Sequence, residues 1–392
     1  MRYKFRQHPS RMVTLMATFG GGARAGFNKY PNGMAHCVEH MRFKGSVSYT
    51  AKQLLWKLAS TGGSWNAWTS EDLVAYHVTI PEDNIETAFE CLDEVVNKPI
   101  FPEDEMKKEQ EVICQEVRMY QDDIGTLVHY KLMESVFDNP LAIPIIGTEG
   151  SVNSIVRQNL LDFNQEFYNS EQKLITLCAT ANYQHFVEKY FGIPDDVLVW
   201  KPPYAFNYKP SANYEVVKDG QLQHVINIAF AGKEIDAVAK NRAQFDVFNK
   251  IFGSSDVSRL FLTIREDMGL VYGIGSGLQD FMDGNVFTIG TETEPENADK
   301  VIKEIDNQIN KMMAELPTEE ELRSAKNKLR SSEYSQMDTS NRTALRLVAE
   351  EFYKHPSTTQ YLADIEQVSA QQVKDIAEKV FAGNKYTILG HG

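Results

Sequence analysis

Residues 79–109 read TIPEDNIETAFECLDEVVNKPIFPEDEMKKE, and residues 293–324 read TEPENADKVIKEIDNQINKMMAELPTEEELRS. Each runs from a strand end through Pro-Glu into an amphipathic helix. Phe-Pro or Leu-Pro and an acidic turn then open a second, longer helix. Pro81 and Pro102 stand 21 residues apart, Pro295 and Pro317 stand 22 apart. Just upstream, residues 73–80 and 285–291 read as the preceding strands. Landmarks that keep their order and spacing at an offset near 214 residues indicate a duplicated unit. Proline is tolerated in the first helical turn, where acidic side chains meet the positive end of the helix dipole. Phe101-Pro102-Glu103-Asp104-Glu105 and Leu316-Pro317-Thr318-Glu319-Glu320-Glu321 therefore mark helix starts.

Between these two units, the stretch 200–219, WKPPYAFNYKPSANYEVVKD, holds three prolines, several tyrosines and no helical period. It reads as a linker, 201–219, between domains of 1–200 and 220–392. Residues 12–19 and 75–80 read as strands rich in β-branched and aromatic residues, and the apolar run 225–230 as a strand covered on both faces. Long helices grouped between hairpin-like strands predict an α+β fold. It has two homologous domains, each a largely antiparallel β-sheet packed with α-helices.

The chain has 392 residues, 42% hydrophobic and 24% charged, ordinary globular usage that excludes disorder and collagen-like structure. No uncharged apolar run approaches the roughly 18 residues of a membrane helix, so no membrane partner is expected. The N-terminal MRYKFRQHPSR has no apolar core of a secretory signal. Four scattered cysteines (Cys37, Cys91, Cys114, Cys178) suit a reducing compartment, and a cytoplasmic location is expected. A net charge of −14 argues against nucleic acid as a partner.

The chemistry concentrates in residues 33–46, GMAHCVEHMRFKGS. Within it, His36-Cys37-Val38-Glu39-His40 is an H-x-x-E-H pattern, the inverse of the H-E-x-x-H zinc order. On a helix His36 and His40 are one turn apart and point the same way, a natural pair of zinc ligands, and Glu39 reaches the same side. A catalytic zinc needs a third protein ligand and an open position. The helix predicted from about residue 102 to 120 offers Glu109 and Glu116, seven residues apart on one face. Cys37 points about 100° away from His36, as a packed thiol would. His8, His77, His129, His185, His224, His355 and His391 have no partners at ligand spacing. The glycine run in residues 19–30, FGGGARAGFNKY, lacks the Gly-Lys-Ser/Thr of a phosphate cradle.

These motifs resemble the pitrilysin and insulin-degrading-enzyme family of zinc metallopeptidases, in particular its short two-domain branch, which includes mitochondrial processing peptidase and bacterial homologues. In that family a glutamate ligand follows the second histidine by about 76 residues, a spacing that lands on Glu116, and the E-x(6)-E pattern lands on Glu109. The resemblance spans essentially the whole chain and is strongest from about residue 31 to 170. It implies His36, His40 and Glu116 as zinc ligands, Glu39 as general base, and Glu109 as a carboxylate that orients the site. Gly62-Gly63-Ser64-Trp65-Asn66-Ala67-Trp68-Thr69 resembles the family's strand beside the zinc, which takes a substrate peptide as an extra strand. Trp65, Asn66, Ala67 and Trp68 are then substrate-binding. Arg265-Glu266-Asp267-Met268-Gly269-Leu270-Val271-Tyr272 resembles the Arg-x(6)-Tyr element that reaches the substrate from the opposite wall. Arg265 and Tyr272 are then catalytic. A shift by the repeat offset puts no histidine pair and no glutamate in the second half, so one Zn2+ per chain is expected.

The function so implied is a zinc metalloendopeptidase that cleaves peptides or unfolded segments in an enclosed chamber. The resemblance further implies that each chain forms half of a clamshell and that a homodimer completes each site in trans. The competing reading is a non-catalytic or partner-dependent peptide-binding or assembly subunit of the same fold.

Overall fold

The computed structural model describes residues 1–392 except 139, 169–172, 196–199 and 203; part of the stretch read as a linker, at residue 203, thus lies outside the described residues. In the first half the order is β1 (Arg2–Gln7), β2 (Met12–Gly20), α1 (Met34–Arg42), α2 (Ala51–Ala59), β3 (Ser64–Thr69), β4 (Leu73–Pro81), α3 (Ile85–Asn97), α4 (Glu103–Asp122), α5 (Ile124–Val136), α6 (Glu149–Asn153), α7 (Arg157–Phe167), β5 (Lys173–Ala179) and α8 (Gln184–Phe191). The second half runs β6 (Ala212–Val217), β7 (His224–Ala231), α9 (Lys233–Ala239), α10 (Arg242–Phe252), a π-helical segment Phe261–Asp267, β8 (Val271–Asp280), β9 (Asn285–Thr293), α11 (Ala298–Ala314), α12 (Glu319–Met337), α13 (Ser340–Phe352), α14 (Thr358–Gln367), α15 (Ala370–Phe381) and β10 (Asn384–His391).

Two five-stranded sheets repeat one topology: β1-β5-β2-β4-β3 and β6-β10-β7-β9-β8. The fold is α+β, as expected, and the sheets are mixed. β1 runs parallel to β5 and β6 to β10, while the other pairs are antiparallel. β6 lies within the stretch read as a linker. The predicted strands at 12–19, 75–80 and 225–230 fall within β2, β4 and β7. The Phe-Pro and Leu-Pro signals open α4 and α12 within two residues of the proline.

The chain forms two compact units, and neither is one continuous stretch. One comprises Met1–Met119, Ile143–Ala205 and Gln336–Lys354; the other comprises Tyr120–Ala142, Phe206–Ser335 and His355–Gly392. Helices α5 and α13 are thus exchanged between the halves of the sequence. α13 docks on the first sheet through short polar contacts. The Ser340 hydroxyl lies 2.9 Å from Thr14 Oγ1 and donates to the Met12 carbonyl at 2.6 Å, and the Asn341 amide lies 3.1 Å from His77 Nδ1. α5 docks on β10 and β7 of the second sheet through Val128, Leu132 and Val136.

In the first unit a continuous core joins Val13, Leu15 and Phe19 of β2 to Cys37, Val38 and Met41 of α1 and Phe89 and Leu92 of α3. β2 and β4 are nearly fully buried, whereas β3 is an edge strand, paired among the described residues with β4 alone. The glycine run ahead of α1 packs backbone on backbone: a Cβ on Gly22 would come within 2.3 Å of the Ser70 carbonyl oxygen. Among the described residues, no helix is long and apolar enough to cross a membrane.

Candidate metal centre

α1 carries the centre because two constraints fix it. At its N-terminus Gly33 adopts φ +88°, and a Cβ there would stand 2.5 Å from the Ile146 carbonyl oxygen. Only glycine meets both the backbone twist and the close approach. At its C-terminus Arg42 is fully buried and donates to the Val96 carbonyl at 2.9 Å and to Asn164. Its guanidinium lies 4.7 Å from the Tyr168 ring centroid and 5.1 Å from that of Tyr76, a cation held between aromatic faces. Between these anchors Met34, Ala35, Cys37, Val38 and Met41 turn into the core. His36, Glu39 and His40 occupy the remaining face, half-buried.

α4 crosses that face and presents two carboxylates. Glu116 Oε2 stands 3.8 Å from His36 Nε2 and 3.7 Å from His40 Nε2. The three ligand atoms lie within 4.8 Å of one another, the one such group among the described residues. Two imidazoles and a carboxylate, with ligand bonds of about 2.0–2.1 Å, are the donor set of an open catalytic zinc site. The separations suit a shared ion after a small inward movement. The residues present fit zinc.

The two histidines are supported differently. His40 Nδ1 lies 3.1 Å from Glu109 Oε2, and the other Glu109 oxygen pairs with Lys44 Nζ at 2.5 Å. His36 Nδ1 is buried without a hydrogen-bond partner among the described residues. Burial, and then the neighbouring His40, push His36 down to about 3, so it stays in the neutral form that ligates metals. Burial opposes the charged form of His40 as well, but the Glu109 bond and the surrounding carboxylates outweigh it and raise its pKa. Glu109 is pulled the other way: burial would raise it, yet the bonds from His40 and Lys44 hold it below the ordinary carboxylate range.

Glu39 sits differently again. Burial raises its pKa, with Glu116 adding to the rise, while a bond from Thr69 and the nearby His40 partly offset it. The Thr69 hydroxyl donates to Glu39 Oε2. Thr69 ends β3, and the side chains of Trp65, Ala67 and Thr69 share the face towards α1. Trp65 packs edge-on against Phe43, ring centroids 5.1 Å apart. Asn66 is exposed and its side-chain oxygen accepts from the Ala67 amide at 2.9 Å; Trp68 is half-buried on the Asn66 side.

The sequence-derived residues His36, Glu39, His40, Glu109 and Glu116 are thus brought together, with the strand of Trp65, Asn66, Ala67 and Trp68 alongside α1. Arg265 and Tyr272 lie in the other unit and adjoin each other. Arg265 Nε donates to the Tyr272 carbonyl at 2.8 Å, and the Tyr272 side chain is 93% exposed. Arg265 belongs to the π-helical segment, a distortion common at functional positions. Lys44 and Thr69 carry no role in the sequence reading. Lys44 has a signal, its place four residues after His40. Thr69 has only its membership of the quoted Asn-Ala-x-Thr stretch.

Residues 5–149 match the family model described as Insulinase (Peptidase family M16), and residues 154–329 match the one described as Peptidase M16 inactive domain. The chain belongs to the insulinase peptidase family, M16. Among its relatives, a protein of Rickettsia felis named an uncharacterized zinc protease is 31% identical over 78% of this chain and 74% of its own length. The uncharacterized zinc protease YmxG of Bacillus subtilis is 25% identical over 95% and 91%. The same fold recurs in a solved protease of Helicobacter pylori, with TM-score 0.89 at 18% identity, covering 99% of this chain and 96% of that one. It recurs in a Pseudomonas fluorescens structure described as a peptidase M16 inactive domain, with TM-score 0.88 at 19% identity, covering 99% and 95%.

Proposed function

We propose that this chain is a zinc-dependent endopeptidase that hydrolyses peptides or unfolded polypeptide segments in an enclosed chamber. One observation carries the reading: two imidazoles and the Glu116 carboxylate converge on one point while Glu39, which is not in that set, stands beside them. Zinc-protease relatives and the M16 matches support the same chemistry. His36, His40 and Glu116 would hold one zinc per chain. Bound there, the ion would act as a Lewis acid and would lower the pKa of the attacking water to about 7.

The remaining tasks fall to side chains. Glu39 takes a proton from the attacking water and later delivers it to the leaving amine, work to which a carboxylate of raised pKa is suited. Glu109, itself fixed by Lys44, holds the His40 ring in one tautomer and orientation. The unpaired edge of β3 takes the substrate backbone as an added strand, with Asn66 and Ala67 at the contact and Trp65 and Trp68 stiffening it.

Arg265 and Tyr272 stabilise the developing oxyanion, and in this proposal they come from a second copy of the chain. A two-fold homodimer gives two equivalent sites. The exposure of the Tyr272 phenol supports its use by a partner. A cytoplasmic location belongs to the same proposal, supported by four buried cysteines that are all free thiols.

Zinc analysis of purified protein, with a quenched-peptide assay, tests the function. About one zinc per chain and cleavage are expected. Zinc without cleavage favours a partner-dependent peptide-binding subunit. No zinc favours an assembly protein.

A further inference from the structure

Two carboxylates beside the metal centre are held by opposite means. Glu109 is ion-paired: Lys44 Nζ lies 2.5 Å from one oxygen and His40 Nδ1 lies 3.1 Å from the other. Glu39 has no cationic hydrogen-bond partner among the described residues. Its one side-chain hydrogen-bond partner among them is the neutral hydroxyl of Thr69, which donates to Oε2. A cation at that place would tie up the carboxylate as an ion pair and weaken it as a base. A hydroxyl fixes one oxygen with a single bond and leaves the other free to meet water.

We infer that Thr69 is the positioning residue for Glu39, and that it ties the orientation of the base to the edge strand that receives the substrate. This rests on the peptidase reading above. α1 fixes the Glu39 backbone, but the side chain has three rotatable bonds, and ordering a chain of that length costs rotamer entropy. The bond from Thr69 selects one rotamer before the substrate arrives. Thr69 also closes β3, whose backbone pairs on one side only. Strand and base therefore move together, and a peptide that pairs with β3 meets a carboxylate already aimed. Threonine serves both duties, since its β-branch favours the strand and its hydroxyl donates.

Thr69→Val keeps the branched shape and removes the donor; Thr69→Ser keeps the donor. Both are compared with wild type and Glu39→Gln, each loaded with zinc. General-base catalysis contributes typically about 10²–10⁴-fold. Losing the orientation alone is expected to lower kcat of Thr69→Val roughly tenfold to a hundredfold. KM should stay within about twofold and zinc content should not change, because Thr69 touches no ligand. Thr69→Ser should recover to within about threefold of wild type. A crystal structure of metal-free Thr69→Val should show the Glu39 carboxylate displaced from β3. An unchanged kcat in Thr69→Val, an equal loss in Thr69→Ser, or an unmoved Glu39 carboxylate overturns the inference. Should the valine variant not fold, Thr69→Ala against Thr69→Ser makes the same comparison. An inactive wild type instead sinks the peptidase reading, while the metal-free structures still decide whether Thr69 places Glu39.

Discussion

His40 Nδ1 lies 3.1 Å from Glu109 Oε2, on the ring edge opposite the nitrogen that faces Glu116. The relationship makes Glu109 a support for the proposed ligand His40. Glu109→Ala should weaken zinc binding about 10–100-fold, measured by competition with a chelator, as loss of such outer partners typically does. His36→Ala, His40→Ala and Glu116→Ala should each leave the protein essentially free of zinc. If Glu109→Ala strips the metal and Glu116→Ala does not, the two roles must be exchanged.

Arg42 anchors the last turn of α1 from inside the core. Arg42→Ala removes a fully buried side chain and leaves the Val96 carbonyl without that donor. Large-to-small core truncations cost about 2–5 kcal/mol, and a loss of that size is expected in urea unfolding. Zinc affinity should fall with it, because His36 and His40 ride on the same helix. An unfolding midpoint equal to wild type would show that α1 is held by its apolar face alone.

Lys173 opens β5 almost fully buried, bonded to Asn97 Oδ1 at 2.6 Å. Burial, and then Arg42, push it down to about 8. Between that value and its ordinary range near 10.5, the unfolded chain keeps a proton the folded chain has lost. Stability from this group therefore rises with pH across that window and is lowest below it. Going from pH 7.5 to 9.5, the wild type should gain about 2 kcal/mol relative to Lys173→Met. Parallel denaturant curves at the two pH values read this difference; no relative gain would place the Lys173 ammonium in a wetter setting.

How much of this was legible in the sequence differs from feature to feature. The convergence of the α1 histidines with the carboxylates of α4 was readable because side-chain spacing on a helix is local. His36 and His40 are one turn apart, and Glu109 and Glu116 are two. The prolines at 102 and 317 located the starts of α4 and α12 for the same reason. β6 was hidden because its short, half-exposed strand follows a proline-rich stretch, and its parallel pairing with β10 joins residues far apart in sequence. The exchange of α5 and α13 was also hidden. An amphipathic pattern shows which face is apolar but not which of two similar sheets it covers. The bond from Thr69 to Glu39 joins a strand to a helix, and no spacing rule records such a contact.

The proposed homodimer predicts complementation. Glu39→Gln and Tyr272→Phe should each be impaired on their own. Mixed and allowed to exchange subunits, they form dimers in which one site has an intact zinc centre and an intact phenol. Peptide cleavage should recover to a fraction of wild type. No recovery, with exchange demonstrated by a tagged subunit, would rule out sharing between copies.

In the proposed mechanism His36, His40 and Glu116 hold a catalytic zinc while Glu39 does the proton transfer. The most direct measurement pairs zinc content with turnover of a quenched peptide in wild type and Glu39→Gln. Wild type should carry about one zinc per chain and cleave the peptide, and Glu39→Gln should keep the zinc and lose about 10²–10⁴-fold in turnover. Near-normal turnover in Glu39→Gln, or a wild-type protein that binds no zinc, would contradict the account.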